Sequence, residues 1–281
     1  MSQQITNIAV LSYQVSGYVV IALTAALMVA SLCGSIRNKF ADWTPHTDLF
    51  VYLLGNMCTT VSFIIGWYYE YESINELPLY YLGEALSLTS LLILCNKQNF
   101  IANQLSKQYN PFYACRLGSS GKKFIKQWFI YVIPNAVFVV LAIVGLVLFE
   151  SLKTYFNILN LLESIFCVYL TILIILSSLQ YKKWCDQNDQ TEIAHLIVIL
   201  AWLCLIDCFL SHFVFILVVT IIKTDKETKV IILYLKDWVS LLMNVVIDVV
   251  VFKILKLINL MMKDLQNLYE SDVDDIEIYI V

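Results

Sequence analysis

Seven stretches of this chain are each long enough and apolar enough to cross a lipid bilayer. A hydrocarbon core of ~30 Å needs roughly 20 apolar helical residues. Such runs occur at 8–36, 49–69, 77–95, 128–149, 156–181, 193–222 and 230–257. None breaks into the ~10-residue alternating segments of a membrane barrel, so each reads as helix. The composition agrees: 281 residues, 60% hydrophobic and 14% charged, with a mean hydropathy of +0.75. A soluble domain is about a quarter charged. Soluble enzymes, disordered tails, collagen-like rods and disulfide mini-domains are thereby excluded. The expectation is an all-α polytopic membrane protein. A seven-transmembrane helix bundle covers 1–263 and an acidic tail covers 264–281. The first stretch lacks a basic flank and exceeds the ~7–15-residue core of a signal peptide, so it reads as a retained helix.

The basic residues orient the bundle, because Lys and Arg accumulate in short cytoplasmic loops. One side carries Arg37, Lys39, Lys97, Lys107, Arg116, Lys122, Lys123, Lys126, Lys182, Lys183, Lys253, Lys256 and Lys263. The other carries Lys153, Lys223, Lys226, Lys229 and Lys236. This predicts an N-terminus outside and a cytoplasmic C-terminus. The connections Tyr71–Glu76 and Glu150–Tyr155 are then tight outer turns. The longest inner loop, 103–127, mixes turn chemistry at Asn110-Pro111 and Gly118–Gly121 with Phe112, Tyr113 and several lysines. That mixture suits an anionic headgroup layer or simply satisfies the positive-inside pattern. The tail holds Asp264, Glu270, Asp272, Asp274, Asp275 and Glu277 and no base. It reads as a segment that stands off anionic lipid and offers a protein contact. Its Tyr279-Ile280-Val281 end has a form that can add to a PDZ-type groove.

With this orientation none of the eight cysteines lies in an outer loop, and no structural disulfide is expected. Cys33, Cys95, Cys115 and Cys185 fall near the cytoplasmic face, where palmitoylation and an unmodified thiol are both open readings. No Asn-x-Ser/Thr sequon occurs. The chain reads as integral to a membrane, with plasma and internal membranes both open.

Ionisable groups inside spans are costly and mark function by default. Four acids qualify: Glu84 in span three, Glu163 in span five, Asp207 in span six and Asp248 in span seven. Each lies in a polar stripe with helical spacing. Asp237, Ser240, Asn244 and Asp248 share one face of span seven, and Asn160, Glu163, Cys167 and Thr171 one face of span five. Asp207 shares a face with Ser211, with His212 close by. Tyr80, Glu84 and Ser87 mark span three, and Tyr52, Asn56 and Thr59 span two. Such stripes must face protein. By depth the four acids descend from outside to inside as a staircase. No base is read deep in the core, and His212 is the nearest expected partner for Asp207. The acids are then neutral, share polar partners such as Asn244, or hold a cation. The alternative is interhelical hydrogen-bond glue worth ~0.6–2 kcal/mol per bond.

Other features carry less. Pro134 predicts a kink in span four, with Asn135 placed to help the freed carbonyl. Ala22, Ala25, Ala26 and Ala30 read as a close-packing face of span one. His46, His195 and His212 form no paired metal motif, and no GxSxG or phosphate loop occurs. No enzyme activity, metal, cofactor or nucleic acid is expected.

Seven spans with an outer N-terminus resemble the rhodopsin-type receptor architecture, as does the concentration of polar groups in spans three, five, six and seven. Asn244-Val245-Val246-Ile247-Asp248 is similar to that family's NPxxY element, without its Pro and Tyr. The acidic-Arg pair after span three, the span-six Pro and the span-three disulfide have no counterpart here. The resemblance implies a receptor-like bundle that binds a small polar or cationic ligand in its outer half and signals inward. Glu84, Glu163, Asp207, His212, Asn244 and Asp248 are the expected ligand contacts. Two alternatives stand beside it: a scaffold subunit that meets protein partners through 103–127 and the tail, and a proton- or cation-coupled transporter.

Overall fold

A computed structural model describes residues 2–37, 45–68, 77–107, 122–148, 153–214 and 226–278. The described residues form seven α-helices and no strand. They are α1 (Ser2–Arg37), α2 (Pro45–Tyr68), α3 (Leu77–Leu105), α4 (Lys122–Leu148), α5 (Lys153–Gln187), α6 (Thr191–Cys208) and α7 (Lys226–Ile278). A π-helical segment, Phe209–Val214, continues α6. The ends match the sequence chemistry. Pro45 opens α2, where its missing N–H costs nothing. Asp189 adopts φ 56° in the α5–α6 turn, a conformation Asp tolerates well. The turn closes with the Gln190 amide donating to the Cys185 carbonyl at 2.9 Å.

Five helices contain stretches long and apolar enough to cross a membrane: Asp48–Gly66, Leu77–Leu105, Phe129–Val147, Tyr155–Gln187 and Thr191–Phe213. In α1 the apolar stretch is shorter, Val15–Ala30. The side chains are arranged accordingly. On α4, Phe129, Ile130, Ile133, Val137, Val140 and Val147 are all exposed. On α5 the exposed set includes Ile158, Leu162, Ile165, Ile172 and Leu176. Apolar faces this extensive are stable against lipid rather than water. The acids, hydroxyls and amides point inward instead, with Asp48, Asn56, Glu163, Asp237 and Asp248 all buried. These features are those of an integral membrane protein.

The helices pack through two devices. Around Leu53, Leu92, Leu170, Ile174, Val251 and Leu255, residues of α2, α3, α5, α6 and α7 form one large apolar core. At the α2–α3 crossing the backbones themselves touch. A Cβ on Gly55 would lie 2.5 Å from the Ser87 amide nitrogen, and one on Gly83 would lie 2.7 Å from that of Thr59. Small residues four apart on each helix (Gly55 and Thr59; Gly83 and Ser87) permit this approach. The alanines of α1 do not play that part. Ala22, Ala26 and Ala30 are exposed and Ala25 is half-buried, while Gly17, Val20 and Thr24 face inward. Packing of α1 therefore uses a different face from the one its alanines mark.

Helix α4 continues through Pro134. Asn135 donates from Nδ2 to the Tyr131 carbonyl at 3.1 Å, next to the Ile130 carbonyl that Pro134 cannot satisfy. Helix α7 runs without a break into the acidic segment as far as Ile278, so the acids from 264 to 277 are helical. Most of the 103–127 loop and the last three residues lie outside the described residues.

Candidate functional site

Glu84, Glu163, Asp207 and His212 come together near one end of the bundle, inside the start of α3, the start of α5 and the end of α6. The third and fourth turns of α7 add Lys236, Asp237 and Ser240. Three of the four acids thus share one level. Asp207 is tied there by α7: the Ser240 hydroxyl donates to its Oδ1 at 2.7 Å. Ser211 reaches the same oxygen at 3.4 Å and lies 2.8 Å from Ser240. Glu84 is within electrostatic reach of both Glu163 and Asp207.

The π segment explains how α6 serves two neighbours. Ser211 and His212 are consecutive, yet both are buried. Ser211 faces α7, whereas His212 Nδ1 lies 3.3 Å from the Ser164 hydroxyl of α5. The widened turn spreads adjacent side chains toward different helices, and such turns recur at functional sites. On its lipid side Phe209 and Phe213 stack with centroids 4.9 Å apart. Asp207 therefore meets serine hydroxyls, and the polar contact of His212 is Ser164, contrary to the pairing expected from sequence.

A base does lie within this core. The Lys236 side chain is only 8% exposed and its Nζ sits 2.9 Å from Asp237 Oδ1. It also lies over the Phe63 ring at 5.7 Å. Lys236 is close enough to act electrostatically on Glu84, Glu163, Asp207 and His212. By sequence Lys236 falls with the outer charges, because it stands near the start of span seven. Its neighbour Asp237 was the available signal, since a Lys-Asp pair entering an apolar helix can travel inward as an ion pair.

Cys167 adds the remaining chemistry. Its thiol donates to Glu163 Oε1 at 3.0 Å. No two of the ligating atoms of Glu84, Cys167 and His212 lie more than 4.8 Å apart. One carboxylate, one thiol and one imidazole from three helices thus approach a common point. Among the described residues this is the group with the donor set of a metal ligand sphere.

Asp248 belongs elsewhere. Asn56 of α2 donates to its Oδ1 at 2.6 Å, Thr24 of α1 reaches its Oδ2 at 3.4 Å, and Tyr52 is also a hydrogen-bond partner. Asn56, rather than the half-buried Asn244, supplies the amide. The staircase of four acids is accordingly a cluster of three and a separate fourth two helix turns further on. A second buried charge pair is not legible in the sequence: Lys97, two turns before the end of α3, meets Asp48 at the start of α2 at 2.6 Å. By sequence Lys97 reads as a loop charge, and nothing local pairs residues 49 positions apart.

Fold and site together define an integral membrane protein with a charged, enclosed polar core. The chain matches no protein-family model and no curated protein.

Proposed function

We propose that this is a receptor-like membrane protein of seven spans, with its N-terminus outside and its C-terminus cytoplasmic, that binds a small polar or cationic ligand among Glu84, Glu163, Asp207 and His212. The observation that carries this reading is the convergence of three acids from three helices at one level of the bundle. Interhelical glue is normally built from hydroxyls and amides. An excess of carboxylates over the single neighbouring lysine–aspartate pair favours a cationic partner. Signalling follows from connectivity. Helix α7 faces this cluster through Lys236, Asp237 and Ser240, and it carries Asp248, which α1 and α2 grip further along. Catalysis has no role in this proposal.

The test is thermal stability of the purified protein in nanodiscs against a panel of small amines and inorganic cations. A ligand at 100 times its dissociation constant stabilises the native state by about 2.7 kcal/mol. The rise in midpoint should disappear in Glu84→Gln and in Asp207→Asn, each read against its own unliganded midpoint. A panel without effect, or a rise that survives both changes, would refute the proposal.

The scaffold reading has one observation in its favour, the complete partnering of Asp248 by Asn56, Thr24 and Tyr52. It predicts co-purification with other membrane proteins at fixed stoichiometry. A transporter would need the acids to form a connected path, and Asp248 is held apart from the other three.

A further inference from the structure

We infer that Glu84, Cys167 and His212 form a binding site for a single transition-metal ion of the zinc type. The inference rests on the preceding reading and specifies the class of its ligand.

The donors come from α3, α5 and the π segment that continues α6, and their ligating atoms lie within 4.8 Å of one another. An ion with bonds of about 2.0–2.3 Å holds tetrahedral ligand atoms roughly 3.3–3.8 Å apart. Closing the remaining gap takes shifts of about an ångström, within the reach of side-chain rotation. Thiolate and imidazole select zinc-type ions over calcium or magnesium, which prefer oxygen. Three protein ligands leave the fourth position open, as in sites that exchange a ligand.

The surroundings are those a ligand sphere requires. His212 Nδ1 is engaged by Ser164 at 3.3 Å, and a partner of this kind fixes the orientation of a ligating imidazole. Glu163 lies 3.0 Å from the Cys167 sulfur and accepts its proton when the ion binds. The step balances: the S–H bond breaks, the S–metal bond forms, and the proton passes to the Glu163 carboxylate. The divalent ion, the Glu84 carboxylate and the Cys167 thiolate then sum to zero charge, which suits an apolar interior. Lys236 is the opposing neighbour, and its ion pair with Asp237 at 2.9 Å offsets its charge at the site.

The experiment titrates the full chain in nanodiscs with Co²⁺ and then Zn²⁺. One Co²⁺ should bind per chain with a thiolate-to-cobalt charge-transfer absorption, which Zn²⁺ abolishes by displacement. Cys167→Ser should remove the absorption, and Cys33→Ser, at an exposed thiol, should leave it unchanged. Ser164→Ala should weaken binding by roughly 10- to 100-fold, and Glu84→Gln and His212→Gln by more. Absence of the absorption in the folded wild-type protein overturns the inference, whatever the variants do. So does an absorption that survives Cys167→Ser. If Co²⁺ gives no absorption while an amine stabilises wild type but not Glu84→Gln, the metal assignment falls and the ligand site stands. If neither the metal nor any member of the panel acts, both fall.

Discussion

The Asn56 side-chain amide donates to the Asp248 carboxylate at 2.6 Å, joining α2 to α7 across 192 residues of sequence. Removing the amide leaves a buried carboxylate short of its best donor, which costs about 1–3 kcal/mol. Asn56→Ala should therefore lower the unfolding midpoint in micelles. In Asp248→Asn background the same change should cost less. A double-mutant cycle should return a coupling between about 0.6 and 1.7 kcal/mol, the mean and the maximum for interhelical hydrogen bonds in a membrane bundle. Additive effects would show that the two groups do not act together.

Asp48 and Lys97 make a different prediction. They form an ion pair at 2.6 Å with side chains 4% and 13% exposed. Breaking such a pair from one side costs ~3–5 kcal/mol because a buried charge is stranded. Lys97→Met alone should be severely destabilising. The double variant Asp48→Leu/Lys97→Met should recover most of the loss, measured by reversible unfolding in mixed micelles.

The contact between Gly55 and Gly83 leaves no room for a methyl group. A Cβ on Gly55 would stand 2.7 Å from the Gly83 carbonyl oxygen. Gly55→Ala should push α2 from α3 and cost about 1–3 kcal/mol by overpacking. Ala26→Val on the exposed face of α1 should change stability by no more than about 0.5 kcal/mol. Equal effects at the two positions would contradict the crossing.

Exposure of aromatic side chains on α6 bears on the membrane assignment. Trp202 is 61% exposed within a strongly apolar helix. In a variant whose other tryptophans are replaced by Phe, brominated lipids should quench Trp202 fluorescence and aqueous iodide should not. For orientation, a cysteine introduced at Asn188, in the α5–α6 turn, of a variant whose native cysteines are replaced by Ser should react with an impermeant thiol reagent only from the cytoplasmic side.

Much of this architecture is visible in the sequence because its physical cause is local. The stripe Asp237, Ser240, Asn244 and Asp248 lies on one face by periodicity, and three of its members are buried with Asn244 half-buried. The stripe on α5 also meets protein: the Tyr81 hydroxyl of α3 donates to Asn160, and Glu163, Cys167 and Thr171 are all buried. What periodicity cannot specify is the partner of each face. Lys236 and Lys97 were legible as charges but not as buried ones, since their counter-ions relieve a penalty that the sequence alone shows in full. The π segment at Phe209–Val214 carries no composition signal, yet it decides where Ser211 and His212 point. The crossing at Gly55 and Gly83 was open to reading, as both helices carry small residues four apart.

Helix α7 is a single rod of 53 residues. Lys236 and Asp237 face the polar cluster, and the same helix stays packed in the apolar core through Val251, Leu255, Ile258 and Met262. Met262 is the last of these buried residues, and the helix continues beyond it for roughly 24 Å at ~1.5 Å per residue. The polar cluster, the core and the acidic end therefore share one unbroken element.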